Sequence, residues 1–212
     1  MKDWTFKTDG IASEFDFHIR EQLPWYELVT ESVAYIARNY VPQNGVIYDI
    51  GASTGNMLVA LKELIHERDI TYIPIDESPT MCEMFTQNHP EYHVECFDVT
   101  VIDLIKPFDV AIVMLTAMFL PVKKQERFMQ DLYDKMNEGG AIIVVDKVCD
   151  EEGYFSTVMK RLTMYWKLKN GAKAEDILKK ELSLSGIQRP IKMNYAKQFF
   201  QLGEFKGWVI EK

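Results

Sequence analysis

The sequence predicts an α/β fold: a mostly parallel central sheet with helices on both faces, closed by a C-terminal antiparallel hairpin. Three observations predict it. Short apolar runs alternate with amphipathic helical stretches between residues 46 and 146, the pattern of right-handed parallel crossovers. The stretch Tyr48-Asp-Ile-Gly-Ala-Ser-Thr-Gly55 joins the first apolar run to an amphipathic one. A strand, a tight turn and a helix N-terminus in that order make a nucleotide-binding corner. Near the end, Gly203-Glu204 separates two strand-like runs, a hairpin signal.

The elements follow in order. Residues 1–45 form an N-terminal helical cap. In it, Phe15, Ile19 and Leu23 fall at helical spacing, and Pro24-Trp25-Tyr26 breaks that pattern. Leu28, Val29, Val33, Ile36, Ala37 and Tyr40 then mark one face of a helix over 26–40, ended by Pro42 and Asn44-Gly45. Strand 46–50 leads to helix 56–67, and strand 70–75 to helix 79–88, with Pro79 suited to a first helical turn. Pro74 sits inside the second strand and cannot donate to a ladder. Strand 92–97 leads through Asp98 to a short connection. The run Val110-Ala-Ile-Val-Met-Leu115 predicts a central strand over 109–115. Helix 122–137 stops at Gly139-Gly140, and strand 141–146 follows. Asp150-Glu-Glu-Gly153 reads as a polar hinge. Helices at 154–169 and 173–185 leave the repeat as a lid or dimer arm. Strands from Tyr195 to Leu202 and from Phe205 to Ile210 make the hairpin.

Composition narrows the class. With 212 residues, 47% hydrophobic, the chain is long enough for one sizeable core and short for two domains. A single domain over 1–212 is expected. No apolar stretch reaches the length of a membrane span, and Met-Lys-Asp-Trp is no signal peptide. A net charge of −8 does not indicate nucleic-acid binding, although Lys167, Lys169, Lys173, Lys179 and Lys180 form one candidate basic cluster. Cys82, Cys96 and Cys149 are odd in number and far apart, which fits a reducing cytoplasm. His89 and His93 have metal-like spacing, but Pro90 keeps one helix from presenting both, so no metal is expected.

The loop carries the first functional signal. Gly51 lets the chain turn at the strand end, and Gly55 removes a side chain where strand and helix cross. Ser53 and Thr54 offer hydroxyls and backbone N–H groups. Dinucleotide folds use G-x-G-x-x-G, whereas Ser53 stands two after Gly51, a spacing close to that of S-adenosylmethionine (SAM) enzymes. Ligands of open parallel sheets sit beyond the carboxyl ends of the strands, where acidic residues recur. Asp49 ends the first strand and suits an ammonium group or backbone amides. Asp76, followed by Glu77, ends the second and suits ribose hydroxyls. Asp98 follows the third and suits an adenine amino group, with the Val99 N–H beside it. Helix capping alone accounts for single Asp residues at such places, but not for three in register with the loop.

These residues resemble a class I SAM-dependent methyltransferase of the carboxy-SAM synthase branch, over most of the chain. The likeness begins at Asp3-Trp-Thr-Phe6 and runs through Pro24-Trp-Tyr26, Tyr48-Asp-Ile-Gly51, Ile75-Asp76 and Phe119-Leu120. It continues through Asn137-Glu-Gly-Gly140, Asp146-Lys147, Lys169-Asn-Gly171 and Phe199-Phe-Gln201. The resemblance implies a Rossmann-like methyltransferase fold with SAM or carboxy-SAM as cofactor. It implies that Tyr26 contacts the cofactor and that Gly51, Ala52 and Ser53 surround its methionine part. Asp76 and Glu77 match the ribose pair, and Asp98 and Val99 the adenine pair. It also implies a homodimer whose helices at 154–185 help form the second-substrate pocket. Branch members convert SAM and prephenate to carboxy-SAM, used to modify the wobble uridine of tRNA.

Three departures separate binding from reaction. The arginine that binds the added carboxylate in that branch is matched by Glu181, after Lys180, a reversal of charge. A cofactor-contacting Asn at the end of the fourth strand is matched by Met114. The segment between Leu184 and Tyr195 is short. The leading expectation is therefore a methyltransferase whose acceptor the sequence does not name, with a small-molecule substrate among its partners. A carboxy-SAM synthase with an altered anion clamp follows, then a SAM-binding protein without catalysis. Lys180, Glu181 and Tyr165 are the candidate substrate-binding residues, and Asp146, Lys147 and Trp166 further pocket candidates. No catalytic base stands out.

Overall fold

A computed structural model describes residues 11–149, 153–193 and 196–212. The N-terminal match at residues 3–6, the hinge residues 150–152 and Tyr195 lie outside the described residues.

Two helices come first, α1 (Ile11–Gln22) and α2 (Tyr26–Tyr40). The alternating part follows: β1 (Val46–Ile50), α3 (Asn56–Ile65), β2 (Thr71–Asp76), α4 (Pro79–Asn88), β3 (Glu95–Cys96), β4 (Phe108–Met114), α5 (Val122–Lys135) and β5 (Met136–Lys147). Two further helices, α6 (Gly153–Lys169) and α7 (Ala174–Ser183), precede the hairpin of β6 (Lys197–Leu202) and β7 (Phe205–Glu211). The seven strands form one sheet in the order β3-β2-β1-β4-β5-β7-β6. The first five are parallel, and β7 and β6 add an antiparallel edge. Strand order reverses between β1 and β4, which opens a crevice at their carboxyl ends.

Alternation along the strands divides the core. Ile47, Val110, Ile112, Ile143 and Val145 face α2 and α3, meeting Val33, Ala37, Leu58 and Leu61. Tyr48, Ile50, Ala111, Val113, Ile142 and Val144 face the other way, onto Phe128 and Leu132 of α5. β4 and β5 are buried on both faces, which is why they read as unbroken apolar runs.

Two strands differ from expectation. The third strand, expected over 92–97, is only Glu95–Cys96. Pro74 explains the loss. The Ile75 carbonyl accepts the Gly51 and Ala52 N–H groups, on the β1 side of β2. Pro74, one residue earlier, therefore faces β3 and has no N–H to give. The ladder to β3 starts only beyond it, at Ile75 and Asp76. The fifth strand starts five residues before its expected position, and α5 stops at Lys135 rather than at 137. Gly139-Gly140 is thus not a helix stop. A Cβ on Gly140 would stand 2.4 Å from the Asp109 carbonyl oxygen, so the glycine admits a close crossing of β4. The β4–β5 register shifts at that place.

Candidate functional site

The loop after β1 is shaped by two glycines in left-handed conformations. Gly51 has φ +83°, and a Cβ there would stand 2.1 Å from Thr116 Oγ1. Gly55 has φ +96° and begins α3. A Cβ on it would meet the His89 ring at 2.3 Å, so the close approach comes from the end of α4 and not from a strand. Ser53 also adopts a positive φ, 51°. Its N–H donates to Asp76 Oδ2 at 2.9 Å, and the Ser78 N–H donates to Asp76 Oδ1 at 2.9 Å. One carboxylate at the end of β2 thus fastens the glycine loop to the start of α4. Burial raises the Asp76 pKa, and these amides oppose the rise.

The loop opens onto a cavity of about 580 Å³. Asp49, Gly51, Ala52, Ser53, Asp76, Glu77, Asp98, Val99, Met114 and Tyr26 all line it. Gly55 does not; it supports the loop from behind. Asp49 is buried and accepts the Tyr72 hydroxyl at 2.5 Å. Burial pushes its pKa up to about 7, the Tyr72 hydrogen bond pulls against that, and Asp76 adds to it. Tyr26 is pushed up to about 12, first by burial and then by Asp16 and Asp49. Asp98 Oδ1 accepts the Thr100 N–H at 2.8 Å. Met114 Sδ lies 3.8 Å from Thr30 Oγ1.

One wall was not anticipated. α1 lies across the loop, and Asp16 Oδ1 accepts from Thr54 Oγ1 at 2.6 Å and from Asn56 Nδ2 at 2.7 Å. Arg20 reaches Glu27 at 2.7 Å and Asn56 at 3.3 Å. Asn170, after α6, donates to the last carbonyls of α1 at Arg20 and Glu21. This clasp sets Phe15, His18, Ile19 and Gln22 into the cavity wall. The apolar spacing of Phe15, Ile19 and Leu23 revealed the helix, but not what it covers.

The far end of the cavity is rich in lysine. Lys147, Lys167, Lys180 and Glu181 line it, with Gln188 and Leu184. Lys147 Nζ donates to Gln188 Oε1 at 3.1 Å and lies 3.6 Å from Glu181 and 3.8 Å from Glu204. Lys167 Nζ meets Glu181 Oε1 at 3.1 Å. Both lysine side chains are only 8% exposed. Lys180 Nζ lies 2.9 Å from His18 Nε2. Burial, with Lys167 beside it, lowers the Lys180 pKa to about 8. For Glu181, burial alone would raise the pKa; Lys147 and Lys167 outweigh it and hold the pKa below the usual carboxylate range.

Tyr165 and Trp166 need correction. Neither lines this cavity. Thr163 and Lys167, four apart, point α6 inward, and Tyr165 falls outside that stripe, exposed with its ring edge-on to Trp166. Asp146 is enclosed elsewhere, accepting the Met118 and Lys147 N–H groups at 3.0 and 2.8 Å. It braces the turn after β4, whose residues Thr116, Met118 and Phe119 line the cavity. No group of three metal-ligating side chains occurs among the described residues.

Residues 47–140 match the family described as Methyltransferase domain. A carboxy-S-adenosyl-L-methionine synthase of Staphylococcus epidermidis is 30% identical over 205 residues, covering 96% of this chain and 89% of the relative. One of Shewanella frigidimarina is 26% identical, covering 89% and 79%. Among solved structures, a SAM-dependent methyltransferase of Archaeoglobus fulgidus superposes with a TM-score of 0.55 at 13% identity, over 93% of this chain and 100% of that one. One of Clostridium acetobutylicum gives 0.51 at 15% identity, over 64% and 58%. These two show the fold alone. The fold, the domain match and the near-complete alignment to the curated relatives agree: the chain belongs to the class I SAM-dependent methyltransferases, in the carboxy-S-adenosyl-L-methionine synthase branch.

Proposed function

We propose that the protein transfers the methyl group of SAM to a small-molecule acceptor. One observation carries the reading. A single cavity joins the carboxylates at the strand ends to a chemically different, lysine-walled end, so it has room for two reactants side by side. Asp76 and Glu77 would hold the ribose, and Asp98 with the Val99 N–H the adenine. Tyr26, Asp49, Gly51, Ala52 and Ser53 would surround the methionine part, with Met114 flanking it. SAM supplies a methyl already activated by its sulfonium. The chain then needs chiefly to align the acceptor and exclude water. α1, clasped to Thr54 and Asn56, excludes water by covering the loop.

The test is mass spectrometry of the ligand that copurifies, followed by conversion of SAM to S-adenosylhomocysteine (SAH) with an acceptor library. Tight SAM binding with no turnover on any acceptor would leave a binding protein instead.

A second reading is favoured by the curated relatives, whose name is carboxy-SAM synthase. Lys147 and Lys167 flank Glu181, the residue matched to that branch's arginine, and supply positive charge there. In this reading SAM and prephenate give carboxy-SAM for tRNA wobble-uridine modification. A product heavier than SAM by a carboxyl group decides for it; its absence decides against it. Both readings carry a homodimer formed through residues 154–185 and a cytoplasmic location, and sedimentation checks the first of these. No described helix is long and apolar enough to cross a membrane.

A further inference from the structure

We propose that Cys82 and Cys96 form a reversible disulfide that shuts the cofactor site. The link itself stands on the geometry of β2, β3 and α4; only its effect on SAM rests on the methyltransferase reading. Cys96 ends β3 and pairs with Asp76 across the β2–β3 ladder. Residues paired across two strands point to the same face of a sheet, so the Cys96 side chain shares a face with that of Asp76. Tyr72, four residues earlier in β2, shares that face and packs in one core cluster with Cys82 and Phe85 of α4. α4 thus covers the face that carries Cys96. Cys82 Sγ stands at the ladder itself. It donates to the Asp76 carbonyl oxygen at 3.5 Å, and the same oxygen accepts the N–H of Phe97, the residue after Cys96, at 3.1 Å. Both cysteines are thiols, Cys82 buried and Cys96 exposed.

Exposure and burial set the order of the steps. The oxidant is a peroxide. The Cys96 thiolate attacks one peroxide oxygen; an S–O bond forms, the O–O bond breaks, and the leaving hydroxide takes up the proton that Cys96 gave up. Cys96 is then a sulfenic acid. The Cys82 sulfur attacks the Cys96 sulfur; the S–S bond forms, the S–O bond breaks, and the Cys82 proton leaves with the hydroxide as a second water. The two thiols lose two electrons in all, and one peroxide gains them. Burial raises the Cys82 pKa, with the Cys96 thiol and Asp76 adding to the rise, so Cys82 is the second thiol to react. The link reaches the cofactor site through its place in the fold. Cys82 lies one turn into α4, its N–H donating to the Ser78 carbonyl at 3.0 Å, and the Ser78 N–H holds Asp76. Asp98 follows Cys96 by two residues. The sulfurs of a disulfide lie about 2.05 Å apart, closer than two unbonded thiols approach. Forming the bond therefore draws the first turns of α4 and the end of β3 together, and moves the carboxylates assigned to ribose and adenine away from their places beside the glycine loop.

The test uses the full chain with Cys149→Ser, which removes the third, exposed thiol. It is treated with hydrogen peroxide and then with dithiothreitol. Peptide mass spectrometry is expected to show Cys82 and Cys96 joined with the loss of two hydrogens, and dithiothreitol to reverse the link. Calorimetry is expected to show SAM binding at least about tenfold weaker in the oxidised protein and restored on reduction. Cys96→Ser, at an exposed position, forms no link and keeps its SAM affinity through the same treatment. Cys82→Ala leaves Cys96 to go on to the sulfinic acid, which dithiothreitol does not reverse. An unlinked Cys96 sulfinic acid in the protein with both cysteines overturns the proposal. So does a link between two copies, or a linked protein that binds SAM as tightly as the reduced one. Reduced protein that binds no SAM sinks the methyltransferase reading, and the joined peptides still decide for or against the link.

Discussion

Asp49 and Glu181 are both carboxylates set against the same cavity, at its two ends, and their surroundings push them in opposite directions. Asp49 sits at the end of β1 with a phenol as its partner and no cation, and burial raises its pKa to about 7. Glu181 sits on α7 between two ammonium groups, and they hold its pKa down against burial. Within one cavity, one carboxylate thus has no cation beside it and the other has two. The first suits a cationic group such as the ammonium of SAM, and the second is already neutralised by the chain itself.

Stability against pH separates the two carboxylates, and Asp49 has the larger effect. Its folded pKa lies above the unfolded value. Its contribution is thus fully present below about pH 4 and lost as pH rises to about 7, a difference of about 4 kcal/mol at full shift. Asp49→Asn is expected to flatten that fall in melting temperature while weakening SAM binding. A pH profile unchanged in the variant would show that Asp49 ionises normally and that the contrast is wrong. SAM binding near pH 7 should also release a proton from Asp49, which calorimetry in buffers of different ionisation enthalpy detects.

Gly51→Ala comes next and attacks the loop end alone. The added Cβ meets Thr116 Oγ1 at 2.1 Å, in a left-handed conformation. Strain and overpacking together cost about 3 kcal/mol. Chemical denaturation reads the loss, and SAM affinity falls with it. The fall in stability on acidification that Glu181 contributes is expected to persist, since its partners Lys147 and Lys167 are untouched. If it is lost as well, the ends do not act separately.

The two ends also differ in how far the sequence discloses them. Gly51, Ser53, Asp76 and Asp98 lie in turns or at strand ends, where a residue's position follows from strand–helix alternation. The resemblance then added Tyr26. The lysine end is assembled from α1, β5, α6, α7 and the segment carrying Gln188. Which faces of those helices meet depends on packing between elements far apart in sequence. Lys147 was within reach because it follows a strand, and Lys180 and Glu181 because a family position pointed there. His18 and Gln22 carried no signal of their own, and Lys167 stood out only as one member of a basic cluster, without a partner. β3 was overestimated because the effect of Pro74 depends on which side its missing N–H faces, and only the sheet order tells that.

Glu181→Gln tests the lysine end directly. It removes the shared partner of Lys147 and Lys167 in a partly exposed setting, at a cost of about 1–3 kcal/mol. Because the folded pKa of Glu181 is lowered, its contribution is present above the unfolded carboxylate value near 4.5 and lost as pH falls through the folded one. The variant should therefore lose stability at neutral pH and little at strongly acidic pH, opposite in sign to Asp49→Asn. Unchanged stability at neutral pH would mean that Glu204 and solvent replace Glu181 as the partner of the lysines.

Tyr165→Ala should have the smallest effect, because the ring lies outside the contrast between the two ends. It is 54% exposed and rests on Trp166 and Lys169, so its loss should change stability by under about 0.5 kcal/mol. SAM affinity should not move. A clear rise in KM for the acceptor would return Tyr165 to the substrate wall, where the sequence had placed it. A loss of self-association in sedimentation, with SAM affinity intact, would place it at the contact between two copies instead. That outcome would separate the two roles expected of residues 154–185: the inward stripe of Thr163 and Lys167 would serve the cavity, and the outward face of α6 the assembly.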